Sequence, residues 1–198
     1  PMIEVKGEDI PAERAGKYSA GIVLSYRRDE ARVMVDMGGG YGGSLYEQLK
    51  SNNIETDAYK GAESSVRRTK DRQLAFKNKR TEVWWRFREA LDPSEPGGSP
   101  IRLPNDPLLI ADLTAPIFIE DRKMIELEEK IKVKERLGRS PDRGDAVVMA
   151  WACGPRYVEG GVALERAQRY NYAAGRRPEV VMGRGKYALH GGKHGRTS

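Results

Sequence analysis

The spacing of apolar residues changes period several times along this chain, and each change marks an element. MIEVKG at the start alternates as a strand does. From Pro11 to Arg28 the spacing becomes helical, with Ala15, Ser19, Ile22, Val23 and Tyr26 on one face and Pro11 in the first turn. Ala31 to Asp36 is apolar on both sides of the pleat (Val33, Met34, Val35), the pattern of a central parallel strand. A glycine-rich loop, Gly38 to Gly43, follows at once. Ser44–Lys50 then predicts a short helix and Ile54–Tyr59 a further strand, so residues 31–59 read as a βαβ unit. Beyond a polar stretch, GAESSVRRTKDRQ, the spacing predicts a helix over Asn78–Leu91 with Trp84, Phe87 and Leu91 on one face, which makes the Trp84–Trp85 pair core rather than a stacking platform.

Proline and glycine break the chain between Asp92 and Pro100. After the break come a short strand at Ile101–Leu103, a helical turn at Leu108–Leu113, and strands at Ile117–Glu120 and Ile125–Glu129. Lys130–Leu137 is basic and fits neither period, and a helix runs from Pro141 to Ala152. Alternating strands and helices predict an α/β domain around a mostly parallel sheet.

Length and charge refine that outline. A chain of 198 residues suits one domain, residues 1–153, with a basic, glycine-rich extension over 154–198. Gly160–Arg177 has enough apolar positions for a short helix, and the final GRGKYALHGGKHGRTS reads as disordered. Residues 151–198 hold nine basic and three acidic side chains, so the whole formal charge of +6 lies there. Such an end contacts a polyanion or merely keeps the chain in solution, and composition does not choose between them. The single cysteine, Cys153, excludes an internal disulfide, and its apolar neighbours predict a buried thiol. No apolar run reaches membrane-spanning length and the first residues do not resemble a signal peptide, so the expectation is a cytoplasmic protein with no membrane partner.

Several chemistries drop out. GGGYGG lacks the lysine and hydroxyl residue of a phosphate-binding loop, and no dinucleotide fingerprint fits, so no ATPase site is expected. The two histidines, His190 and His194, both lie in the extension, which argues against a histidine base, a zinc-hydrolase cluster and a serine triad. Carboxylates remain. Asp36 ends a strand, where its side chain projects into the crevice in which α/β proteins bind ligands, although a turn aspartate would stand there as well. Asp142 and Asp145 fall in the first turn of a helix, with Ser140 as its N-cap and Pro141 at its first position. Acids there also offset the helix dipole without any further role.

The order of the pieces narrows the choice. VMVDMGGGYGGSLYEQL, NKRTEVWWRFREAL, IRLPNDPLLIADL and RLGRSPDRGDAVVMA occur in the order of four motifs of the nuclease domain of tailed-phage terminase large subunits. Residues 1 to about 153 therefore resemble that family of genome-packaging motors. The resemblance implies a ribonuclease H-like (integrase/resolvase-type) fold, a mixed sheet flanked by helices. It implies that three acids gather two Mg²⁺ or Mn²⁺ ions over the scissile phosphate, with Asp36 as the second acid, Asp145 as the third, and Asp142 as an accessory ligand. The first acid has no match in residues 1–35, so the domain reads as incomplete at its N-terminus, with the family's ATPase domain also missing.

The activity implied is that of an endodeoxyribonuclease, a hydrolase that cuts concatemeric viral DNA during packaging by two-metal phosphodiester hydrolysis, with little regard to base sequence. Lys130 matches a lysine that family members carry near the site. Arg136, Arg139 and Arg143 are candidates to hold neighbouring phosphates, each equally readable as a surface arginine, and Gly38, Gly39 and Gly40 would let the backbone of double-stranded DNA approach. Partners implied are the portal protein, the small terminase subunit and an ATPase domain, in the host cytoplasm. Two other readings stay open: a non-catalytic DNA- or portal-docking module, and a Holliday-junction-resolvase-like nuclease.

Overall fold

The structure, a computed structural model, describes residues 3–5, 10–28, 31–40, 42–94, 98–99 and 101–154. The expected features of the C-terminal extension, with His190 and His194, lie outside them, as does most of the expected first strand.

Helix α1 (Ala15–Tyr26) follows a 3-10 turn at Ala12–Arg14. The βαβ unit forms as its pattern predicts: β1 (Val33–Asp36), α2 (Gly43–Ser51) and β2 (Thr56–Tyr59), with β1 and β2 parallel and Asp36 opposite Tyr59. Ala20, Val35, Leu49 and Ile54 are buried together where α1 and α2 cover this pair. Each large apolar side chain so buried contributes about 1.5–3 kcal/mol.

A second group of elements contains β3 (Ala75–Phe76), α3 (Lys79–Leu91), α4 (Pro107–Thr114), β4 (Phe118–Asp121), β5 (Met124–Leu127) and α5 (Lys130–Leu137). Its sheet has the order β3-β5-β4, parallel between β3 and β5 but antiparallel between β5 and β4. Two of the three strand pairs are thus parallel and one antiparallel, in keeping with the mixed sheet flanked by helices that was expected. Arg122 and Lys123, at φ 46° and 65°, make a two-residue turn of the kind that folds a strand straight back on its neighbour.

Helix α6 (Asp142–Cys153) packs against α3 and α4 and also meets β1, so it joins the two groups. Trp84, Phe87, Leu127 and Val148 form the second buried cluster, with Ile101, Leu103, Phe118 and Trp151 against it. Cys153 is buried at the end of α6, and that burial, with Asp57 beside it, pushes its thiol up to about 11.

Local chemistry sets the helix starts. Asn78 caps α3 by accepting the Thr81 N–H, and Asp106 caps α4 ahead of Pro107 by accepting from Leu108 and Leu109. One expected strand, Ile101–Leu103, does not form. It lends its side chains to the second cluster while its backbone pairs with no strand. The ambiguous Lys130–Leu137 is helical, ending on Gly138 in the left-handed region.

Candidate active site

Asp36 closes β1 and is exposed. Its Oδ1 accepts the Gly38 N–H at 2.8 Å, a turn bond that uses one carboxylate oxygen. Gly38–Gly40 form an exposed 3-10 turn, after which the chain doubles back so tightly that a Cβ on Gly42 would lie 2.1 Å from the Asp36 carbonyl oxygen. Only glycine fits there, and the loop therefore fixes where Asp36 stands.

Asp145 is placed differently. Pro141, at the N-cap of α6, offers no capping side chain. The cap comes from another helix: Asp112 of α4, fully buried, accepts the N–H groups of Arg143 (3.1 Å) and Gly144 (3.2 Å) through Oδ2. Arg139 Nη1 stands 2.6 Å from its Oδ1 as an ion pair. Ser140, read from the sequence as the cap, instead donates to Asp142 at 2.6 Å. A Cβ on Gly144 would lie 2.9 Å from the Asp112 Cβ and 3.3 Å from the Trp84 ring, so the first turn of α6 is wedged between α4 and α3. Asp145 is the next residue. Trp84 Nε1 donates to its Oδ1 at 3.2 Å, Arg80 Nε lies 3.8 Å from the same oxygen, and Lys130 Nζ lies 2.8 Å from Oδ2.

The charges of both acids reach Tyr59, the β2 partner of Asp36. Its phenol is held well above its ordinary value, first by burial and then, against the pull of Arg80, by the charges of Asp145 and Asp36. Gly61 seats this corner, since a Cβ there would touch both the Tyr59 ring and Arg80 at 3.2 Å. Arg80 also donates to the Glu128 carbonyl at 2.9 Å, while its Nη2 is buried with no hydrogen-bond partner among the described residues.

Asp142 shares the Lys130 ammonium, 2.8 Å away. Burial opposes its charge, but Lys130 and Ser140 outweigh that and hold its carboxyl below the usual range. All three arginines read as phosphate contacts are engaged by the chain itself. Arg136 binds both oxygens of Glu128 and the Ala115 carbonyl, Arg139 binds Asp112 and the Leu108 carbonyl, and Arg143 binds Asp106 and Glu4.

The donors suit a hard divalent cation, because Asp36 and Asp145 offer carboxylate oxygens and Mg²⁺ is commonly held by one or two carboxylates plus substrate phosphate. Among the described residues no group of three or more His, Cys, Asp or Glu side chains is placed to hold a metal ion. Among the described residues, then, the candidate ligands are these two carboxylates, with Asp142 close to Lys130. Sequence reasoning missed Tyr59, Arg80 and Asp112, and it read Trp84 only as core. Tyr59 sits opposite Asp36 in the βαβ register, a signal that was present; the other three stand inside two of the quoted motifs, but they act across 30 residues or more and spacing alone gave them no role.

No family model matches the sequence, and no curated protein matches it. Among solved structures the chain is similar to the nuclease domain of the large terminase subunit gp2 of bacterial virus Sf6, at 19% identity over 69% of this chain and 70% of that one, with a TM-score of 0.49. It is similar to a lysine-to-alanine mutant of the same domain with manganese, at 20% identity over 69% and 71% of the two chains, with a TM-score of 0.49. With manganese and beta-thujaplicinol the mutant domain is 18% identical over 69% and 70%, with a TM-score of 0.47.

Proposed function

We propose that this chain is the nuclease domain of a viral genome-packaging terminase, a metal-dependent endonuclease acting on double-stranded DNA. The observation that carries this reading is a chain of neighbours linking acids over a hundred residues apart: Asp36 lies opposite Tyr59 in the parallel β1–β2 pair, Gly61 is hemmed in by Tyr59 and Arg80, and Arg80 lies 3.8 Å from Asp145. The four motifs in family order support it independently. In this reading Asp36 and Asp145 hold the divalent ion, and Asp142 shares with Asp145 the task of holding Lys130 beside the site. Bound there, Mg²⁺ or Mn²⁺ would stabilise charge on a scissile phosphate and lower the pKa of an attacking water.

The chain's own groups set the stage. Trp84 fixes the rotamer of Asp145 through its indole N–H, leaving Oδ2 to face the cations. Arg80 adds a buried positive charge with a donor to spare. Tyr59, kept as a neutral phenol by burial and by the two acids, is a hydrogen-bond donor rather than a base. Nothing in this set distinguishes one base from another, so cleavage is largely independent of sequence.

The test is plasmid cleavage in Mn²⁺ by the full chain and by Asp36→Asn and Asp145→Asn. Each variant should lose about 10²-fold or more in rate. Cleavage that depends on Mn²⁺ yet is untouched by both substitutions would place the chemistry elsewhere. A chain that binds duplex DNA without cutting it would favour a docking module.

A further inference from the structure

Arg136, Arg139 and Arg143, the arginines expected to hold phosphates, are engaged within the fold, so a duplex held against the site needs other cations. The polar stretch between β2 and α3 supplies cations of a different kind. It starts at the site: a Cβ on Gly61 would meet Tyr59 and Arg80, and the Gly61 and Glu63 carbonyls accept the N–H groups of Arg80 and Lys79 at 2.9 and 2.8 Å. It then runs along α3. Ser65 donates to Glu82 at 2.7 Å, and Arg67 pairs with the same carboxylate at 3.5 Å. At the far end the Asp92 carboxyl is lowered first by Ser94 and further by Lys70 and Arg88. The 13 residues of α3 span about 20 Å, the axial length of about six phosphates on one strand.

The stretch closes in a tight turn. Thr69 N–H donates to the Leu74 carbonyl at 2.9 Å, Arg68 bridges Ala75, and the Asp71 carboxylate accepts from Thr69 Oγ1 and from the Gln73 N–H. Arg68 and Arg72 are exposed, and neither has an ion-pair partner among the described residues. Arg72 stands at φ 61°, where glycine or asparagine is easier and a long side chain costs about 1 kcal/mol. No side-chain hydrogen bond or ion pair of Arg72 within the described residues offsets that cost. The cations are also crowded: Arg67 and Arg86 share Glu82, and Arg86 is lowered by burial first and then by Arg67.

We propose that this turn, through Arg68 and Arg72, is a phosphate clamp that lays duplex DNA along α3 and across the Asp36–Asp145 site. The inference rests on the nuclease reading for its partner, but its measurement is binding, not cleavage.

The test is a salt series of duplex binding in metal-free buffer by the full chain, by Arg68→Ala/Arg72→Asn, and by the control Arg14→Ala/Lys17→Ala at the start of α1 and the turn before it. Loss of two phosphate contacts should flatten the slope of log K against log salt by about 1.8 in the turn variant and leave the control unchanged. The melting temperature of the turn variant should stay level or rise, because asparagine suits the left-handed position. An unchanged slope, or an equal fall in the control, overturns the clamp. Cleavage lost on substituting Asp36 and Asp145 in a chain with an unchanged slope would sink the clamp alone; cleavage indifferent to those acids, with a flattened slope, would sink the nuclease reading alone.

Discussion

Asp36 and Asp145, the two acids of the proposed site, are held by opposite means. Asp36 is exposed on a strand end and is positioned by its own neighbours, through a turn bond to Gly38 and the close return of Gly42. Asp145 is mostly buried and is positioned by α3, α4 and α5, through Trp84, Asp112 and Lys130. One carboxylate thus depends on backbone geometry within six residues. The other depends on contacts spanning about sixty.

The difference can be broken most sharply at Asp112. Asp112→Ala removes the cap of α6 and leaves Arg139 beside an empty site, so it should cost about 3–5 kcal/mol in denaturant unfolding. A cost below about 1 kcal/mol would mean that packing alone seats α6. Next comes Gly42→Ala, whose methyl would meet the Asp36 carbonyl; calorimetry should show about 1–3 kcal/mol lost, with Asp36 displaced. Trp84→Phe keeps the ring in the core and deletes only its N–H, so the expected stability loss is about 1 kcal/mol, accompanied by a fall in cleavage rate. Asp36→Asn should be the mildest, within about 0.5 kcal/mol of the parent, since its side-chain oxygen still accepts from Gly38. A large destabilisation there would give Asp36 a structural role that its exposure does not suggest.

The same contrast explains what the sequence made legible. The βαβ unit and the strand-end placement of Asp36 follow from local pattern, and they appear where that pattern puts them. Trp84, Phe87 and Leu91 were legible as one face because helical spacing shows it directly. The cap of α6 was misassigned to Ser140 because the hydroxyl stands at the right spacing, whereas the actual acceptor, Asp112, reaches in from another helix. The engagement of Arg136, Arg139 and Arg143 was hidden for the same reason: guanidinium partners are chosen by tertiary proximity. Two-residue β3 is too short to show a period, and the antiparallel β4–β5 pair is specified by a turn, Arg122–Lys123, without the glycine or asparagine that usually announces one.

The central claim is that a locally held and a globally held carboxylate form one metal site. A crystal of the chain soaked in Mn²⁺ and measured at the manganese edge tests it directly. The account predicts an anomalous peak within coordination distance of both Asp36 and Asp145 carboxylates, while a peak bound by one of them alone, or no peak at the Tyr59 corner, would contradict it.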